Sequence, residues 1–184
     1  YQGCEVNTLG FSVAPNAMAT IDLGIVGLGM DDNNAAFAGA TNVAASGNCP
    51  FDSFTGTITE GGQPISIIQQ IEWNVENNIE NQYVVGSKTP AEKSIGKSRI
   101  TGTVTAYFAN VTLLNKFINE TSSSMSYTLV DEDGNEIEFS FPNVKYNGGQ
   151  PDVSGDGPIT IALPFVALYD ETADAQVVIT RTAA

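Results

Sequence analysis

The chain has 184 residues, 42% of them hydrophobic, which suits one folded domain with an ordinary core and excludes a disordered chain. Its 21 acidic against 7 basic residues leave a net charge of −14. So acidic a surface argues against binding nucleic acid through its phosphates, because that affinity comes from Lys and Arg displacing counterions. Histidine is absent, which removes the usual general base, the Ser-His and Cys-His pairs and the commonest metal ligand. No apolar stretch is long enough to span a membrane.

The chain opens at Tyr1, without Met and inside what reads as a strand, so the natural protein is expected to continue upstream. Alternating β-branched and aromatic segments, separated by Gly, Asn and Asp, predict an all-β, mainly antiparallel fold. The expected strands are Glu5–Val13, Met18–Val26, Phe54–Thr59, Ile65–Val75, Gln82–Val85, Arg99–Phe108, Ser126–Val130, Glu136–Phe141, Ile159–Tyr169 and Gln176–Thr182. The turn Asp131-Glu132-Asp133-Gly134-Asn135 joins two of them, since Asp-Gly readily takes positive φ. One short helix is expected after Asn110, which can cap it, with Val111, Leu114, Phe117 and Ile118 on one face. Gly29–Pro50, Gly86–Ser98 and Asn147–Pro158 read as irregular, and loops this long are often binding or assembly segments.

Each motif is weaker than its plain structural reading. The glycines of Gly24–Gly29 lack the dinucleotide-binding spacing and fit a bulge or turn. Asp131, Asp133 and Asn135 resemble the start of a calcium loop, but Glu136 stands where Gly is required and Pro142 where the bidentate Glu belongs. Asn110-Val111-Thr112 and Asn119-Glu120-Thr121 match glycosylation acceptors, a triplet that arises often by chance. Cys4 and Cys49 are too few for a zinc site; they suit buried thiols, and could form a disulfide if the fold brings them together. Carboxylates are so plentiful that no acid pair is singled out. No catalytic, cofactor-binding or metal-binding residue emerges.

Two strands carry a more specific pattern. Ile71, Trp73 and Val75 alternate with Gln70, Glu72, Asn74 and Glu76, so the Trp belongs to the core and the opposite face stays in water. Thr101, Thr103 and Thr105 mark a similar face on the next strand. Together they could line a channel or form an outer solvent face. Four of the seven basic residues, Lys88, Lys93, Lys97 and Arg99, fall in one twelve-residue stretch.

From Phe54 to Arg181 the order of segments resembles the bacteriophage major tail tube protein family. The carrying pieces are TGTVTAYFANVTLLNKF, a strand running directly into a helix, and DEDGNEIEFSFPNVKY followed by ITIALPFVALYD. Residues 1–53 match less distinctly. The resemblance implies a single tail-tube-type β-sandwich or barrel over residues 1–184, with one flanking helix and long assembly loops. It implies hexameric rings stacked into a tube, contacts with other tail proteins, and DNA passing through the lumen without specific binding. It implies no cofactor and no membrane. The place would be the virion tail, assembled in the host bacterial cytoplasm. Under it, Gln70, Glu72, Asn74, Glu76, Thr101, Thr103 and Thr105 would face the lumen. Lys88, Lys93, Lys97 and Arg99 would meet Asp131, Glu132, Asp133 and Glu136 of a neighbour, and reversing Lys93 and Lys97 to Glu would impair assembly while leaving the subunit folded. Two other classes stay open: a monomeric carbohydrate-binding or adhesin-type β-sandwich, which needs an exposed aromatic cluster, and an acid-pair hydrolase, which needs a cleft with a carboxylate of raised pKa.

Overall fold

A computed structural model describes residues 1–30, 32, 39–41, 43–44, 47, 49–53, 56–108, 111–152 and 157–184. In chain order its elements are β1 (Glu5–Val13), β2 (Thr20–Val26), β3 (Thr57–Glu60), β4 (Gln63–Pro64), β5 (Ile68–Glu76), β6 (Ile79–Gln82), β7 (Glu92–Ile95), β8 (Arg99–Tyr107), α1 (Thr112–Ile118), β9 (Ser123–Val130), β10 (Glu136–Tyr146), β11 (Gln150–Asp152), β12 (Thr160–Ala167) and β13 (Val178–Thr182). Every strand pairing is antiparallel.

The strands run β2-β1-β5-β8-β12-β10-β9-β3-β4, with β11 on β12 and β13 on β10. This continuous sheet folds over itself at β10. Residues 136–140 of that strand pair with both β9 and β13, whereas Val144–Tyr146 pair with β12, and the register shifts between Phe141 and Val144. Pro142 sits in that shift, where the ladder changes partner and a missing N–H costs least. The result is a sandwich: a front layer of β2, β1, β5, β8, β12 and β11 against a back layer of β13, β10, β9, β3 and β4.

Alternation fills the space between the layers. Phe11 from β1 and Trp73 from β5 meet Tyr127 and Phe139 of the back layer, with ring centroids 4.8 Å apart for Phe11–Phe139 and 5.4 Å for Trp73–Phe139. Ile71, Val104, Leu163 and Phe165 complete the front half of a core that excludes water. Each such side chain contributes about 1.5–3 kcal/mol on burial. Gly102 stands within the continuous ladder of β8 for a steric reason. A Cβ there would lie 2.5 Å from the ring of Phe165 and from the carbonyl of Glu72.

Several expectations need correction. The strand expected at Gln82–Val85 is instead β6, Ile79–Gln82, and Tyr83–Val85 lie beyond the ladder because their apolar side chains find no sheet to cover them. The expected loops Gly86–Ser98 and Asn147–Pro158 each contain a strand, β7 and β11, recruited by a neighbour rather than by their own propensity. β10 runs on to Tyr146, and β2 begins at Thr20, with Met18 reduced to one bridge to Asp52. The helix is phased differently. Leu113 is its buried residue, Leu114 and Phe117 pack partly on the core, and Val111 and Ile118 are exposed. Val111 occupies the N-cap without a side-chain hydrogen bond; Asn110, the expected cap, lies outside the described residues, as do Phe54 and Thr55.

Candidate assembly surface

The outer side of the front layer is polar across β2, β1, β5 and β8 and turns apolar on β12, where Ala162, Pro164 and Val166 lie opposite Thr105, Thr103 and Thr101; register builds it. Gln70 lies opposite Thr105, Glu72 opposite Thr103, Asn74 opposite Thr101 and Glu76 opposite Arg99. Residues directly opposite in an antiparallel pair share a face, so the two polar rows legible in the sequence become one surface. β1 extends it: Ser12 is opposite Glu72, Gly10 opposite Asn74 and Thr8 opposite Glu76. β2 adds Thr20, Asp22 and Gly24. These β1 and β2 residues were not singled out from sequence, although the alternation of Thr8, Gly10 and Ser12 with Leu9, Phe11 and Val13 is the same signal. Across β2, β1, β5 and β8 the face holds Asp22, Glu72 and Glu76 against the single cation Arg99. Lys145, opposite Val166, stands at the far margin.

The other side of β2 is apolar. Ile21 pairs with Phe11, Leu23 with Leu9 and Ile25 with Val6, which directs all three toward the core side. The back layer stops short of them, and they remain 52%, 54% and 60% exposed. β2 is also the last strand in its layer, and its sequence TIDLGIV carries no Pro and no Lys to blunt an edge.

The basic stretch divides. Lys93 belongs to its own subunit: its ammonium lies 2.9 Å from Glu5 Oε1, donates to the Gly3 carbonyl at 2.5 Å, and its side chain is 8% exposed. Lys88 and Lys97 are exposed, and Arg99 lies on the polar face. The acidic hairpin divides likewise. Asp131 is buried, and its carboxylate accepts from the backbone N–H and side-chain amide of Asn135, both at 2.8 Å. The bond from the Asn135 side chain, with backbone N–H groups of the turn, holds the Asp131 carboxyl below its ordinary range. Glu132, Asp133 and Glu136 are exposed. Glu132 accepts from the Cys49 thiol at 3.5 Å, and that bond and charge push the thiol pKa up. Cys4 and Cys49 are free thiols.

One ionic cluster ties the helix to the sheet. Lys116 Nζ lies 2.7 and 2.6 Å from the two oxygens of buried Glu60 and 2.9 Å from Ser123 Oγ. Tyr146 donates to Glu60 at 3.3 Å, and burial together with that carboxylate raises its phenol pKa. Among the described residues no group of three or more His, Cys, Asp or Glu could hold a metal. Among the described residues the most exposed aromatics, Tyr1, Tyr83 and Tyr169, precede β1, follow β6 and follow β12, in three separate stretches of chain.

The structure resembles the tube-terminating cap of the anti-feeding prophage (14% identity, 78% of this chain, 98% of that one, TM-score 0.52). Weaker likenesses are to a chain of the anti-feeding prophage baseplate (8% identity, 78% and 98%, TM-score 0.48) and to Hcp1 from Flavobacterium johnsoniae (12% identity, 71% and 100%, TM-score 0.39). No curated protein matches the chain. The sequence itself matches the family described as "Phage tail tube protein" over residues 1–167, which takes in the N-terminal strands and ends at the last residue of β12. The chain therefore belongs to the phage tail tube protein family and is a structural component of the virion tail.

Proposed function

We propose that the chain is the repeating subunit of the tube: copies join into hexameric rings, the rings stack, and the polar outer side of the front layer lines a channel through which DNA leaves the virion. One observation carries this reading. Among the described residues the front layer ends in a seven-residue strand, β2, with no further strand paired to it, and its half-exposed aliphatic shelf adjoins the polar face. An open edge of this kind is stabilised when another strand pairs with it, and closing a sheet into a barrel removes every edge. A neighbour's layers would cover Ile21, Leu23 and Ile25 in the same step.

The face suits an anionic cargo. Carboxylates, amides and hydroxyls, with one cation, Arg99, at the end of the face, hold no row of Lys or Arg that would grip phosphate. Such a wall repels DNA weakly and lets it slide. Lys97, which is exposed, would meet the acidic residues Glu132, Asp133 and Glu136 of another copy; complementary charge of that kind guides register and encounter. No catalytic role is assigned, and other tail proteins would cap the ends of the tube. Assembly would take place in the host cytoplasm.

Negative-stain electron microscopy over a concentration series tests the proposal. Wild-type protein is expected to give rings or hollow tubes, and Leu23→Lys, which charges the shelf, is expected to give folded monomer. A wild-type monomer that fails to polymerise even on added tail-tip nuclei would overturn the reading and favour a monomeric binding module.

A further inference from the structure

β6 and β7 form a separate two-stranded ribbon, paired from Ile79–Ile95 to Gln82–Glu92. The chain enters it through a left-handed Asn78 (φ 50°), whose side chain donates to the Lys97 carbonyl at 2.7 Å and closes the base. The ribbon is then fixed across the end of the front layer. Ile79 N–H donates to Asn7 Oδ1 at 2.7 Å, in β1; two residues on, Asn81 Nδ2 donates to the Gly27 carbonyl at 3.2 Å, just past β2. The Lys93 pair with Glu5 and Gly3 secures the returning strand.

These anchors step outward, from the second strand of the layer to the last. Tyr83, Val84 and Val85 follow the last anchor and are 69%, 53% and 107% exposed. At about 3.3 Å per residue of extended chain, Val84 can lie about 10 Å beyond Asn81, the width of about two strands spaced about 4.8 Å apart, before the chain turns back through the bond from the Ser87 N–H to the Val84 carbonyl. The ribbon is thus an arm, held firmly at its base, that carries an apolar tip past the free edge.

The register says what a second copy would offer there. Val26 pairs with Glu5, Thr8 with Glu76, and Ala167 with Ile100, so the arm crosses the end of the layer where β2, β5 and β12 finish. Rotation about a ring axis keeps that end at one level. At that level β12 delivers Leu168 and Tyr169, 36% and 53% exposed, and then an acidic turn. The turn is preformed: Asp170 Oδ1 accepts from the N–H groups of Thr172 and Ala173 at 2.9 Å, and Tyr169 donates to Asp174. Glu171 projects from it into solvent. In the same layer β12 has β11 and the end of β10 outside it, which puts Leu168 within two to three strands of an incoming β2.

We propose that in the ring the β6–β7 arm reaches over the β2 edge and seats Tyr83, Val84 and Val85 on Leu168 and Tyr169 of the next copy, with Lys88 facing Glu171. The inference rests on the ring reading above. It makes the contact heterologous, one patch meeting a different patch, which is the kind of interface that closes into rings.

The test uses full-length chain with Cys4→Ser and Cys49→Ser, to which Val84→Cys and Tyr169→Cys are added singly or together. Assembled material is oxidised and run on a denaturing gel. The double variant is expected to give a ladder of covalent oligomers ending at the ring's copy number, and each single variant none. Rings or tubes visible by microscopy without a ladder overturn the arm contact and leave the ring reading standing. A chain that never assembles overturns both. As a second measurement, Lys88→Glu and Glu171→Lys should each slow assembly at low salt by about tenfold, and together restore it. Single variants that assemble at the wild-type rate would also overturn the contact.

Discussion

The indole N–H of Trp73 donates to the hydroxyl of Tyr127 across the sandwich, 54 residues apart in the chain and buried in the same core. It is a polar bond in an apolar layer, and both partners depend on it. Trp73 has no other donor and Tyr127 is too buried to find water; burial pushes its phenol pKa far up. The pair fixes how β5 lies over β9.

Tyr127→Phe should therefore cost more than one hydroxyl suggests. It leaves the indole donor unsatisfied, a loss of about 1–3 kcal/mol. Thermal unfolding with tryptophan fluorescence would show both the drop in Tm and a shifted emission. An unchanged Tm would mean that the bond contributes nothing net.

The Lys116–Glu60 pair should respond asymmetrically. Lys116→Met strands a buried carboxylate beside Tyr146, and a loss of about 3 kcal/mol is expected. Adding Glu60→Gln to that variant should recover much of it, because the stranded charge disappears. Chemical denaturation of the four proteins gives the coupling directly, and purely additive losses would refute it.

The hairpin turn should be acid-sensitive in a narrow window. The folded-state pKa of Asp131 is depressed, so its carboxylate contributes fully above the unfolded value of about 3.9 and the contribution is lost as pH falls through the lower folded value. The Asn135 amide resonance, followed by NMR, should move only below the ordinary aspartate range. A midpoint at or above that range would contradict the geometry.

Charge on the polar face should change how assembled tubes treat DNA. Glu72→Lys with Thr103→Lys puts two cations side by side, since these residues are in register. Wild-type tubes are expected to release linear DNA, and the double variant to retain it with a steep salt dependence. Equal retention would place this face outside the lumen.

Much of this was readable in the sequence because it depends on local periodicity. The rows at Gln70–Glu76 and Thr101–Thr105 were visible one strand at a time, and the exact pairing of Glu72 with Thr103 then followed from ladder register. Trp73 declared itself core through Ile71 and Val75. What escaped depends on who lies next to whom. The exposure of Ile21, Leu23 and Ile25 comes from β2 being last in its layer, which no alternation reveals. Lys93 looked like a surface cation because its partner, Glu5, is 88 positions away. The arm was read as a loop because β7 gains its structure from β6, and the helix was phased from Val111 although Leu113 is the residue that the sheet covers.

Two of the seven cations, Lys93 and Lys116, are engaged within the subunit. Pairing leaves the net charge of −14 unchanged, so two copies would approach one another as bodies of high like charge. That repulsion is long-ranged in dilute buffer and shrinks to about 8 Å at physiological ionic strength. If copies join as proposed, short-range packing along their edges has to overcome that net repulsion, so added salt should speed assembly.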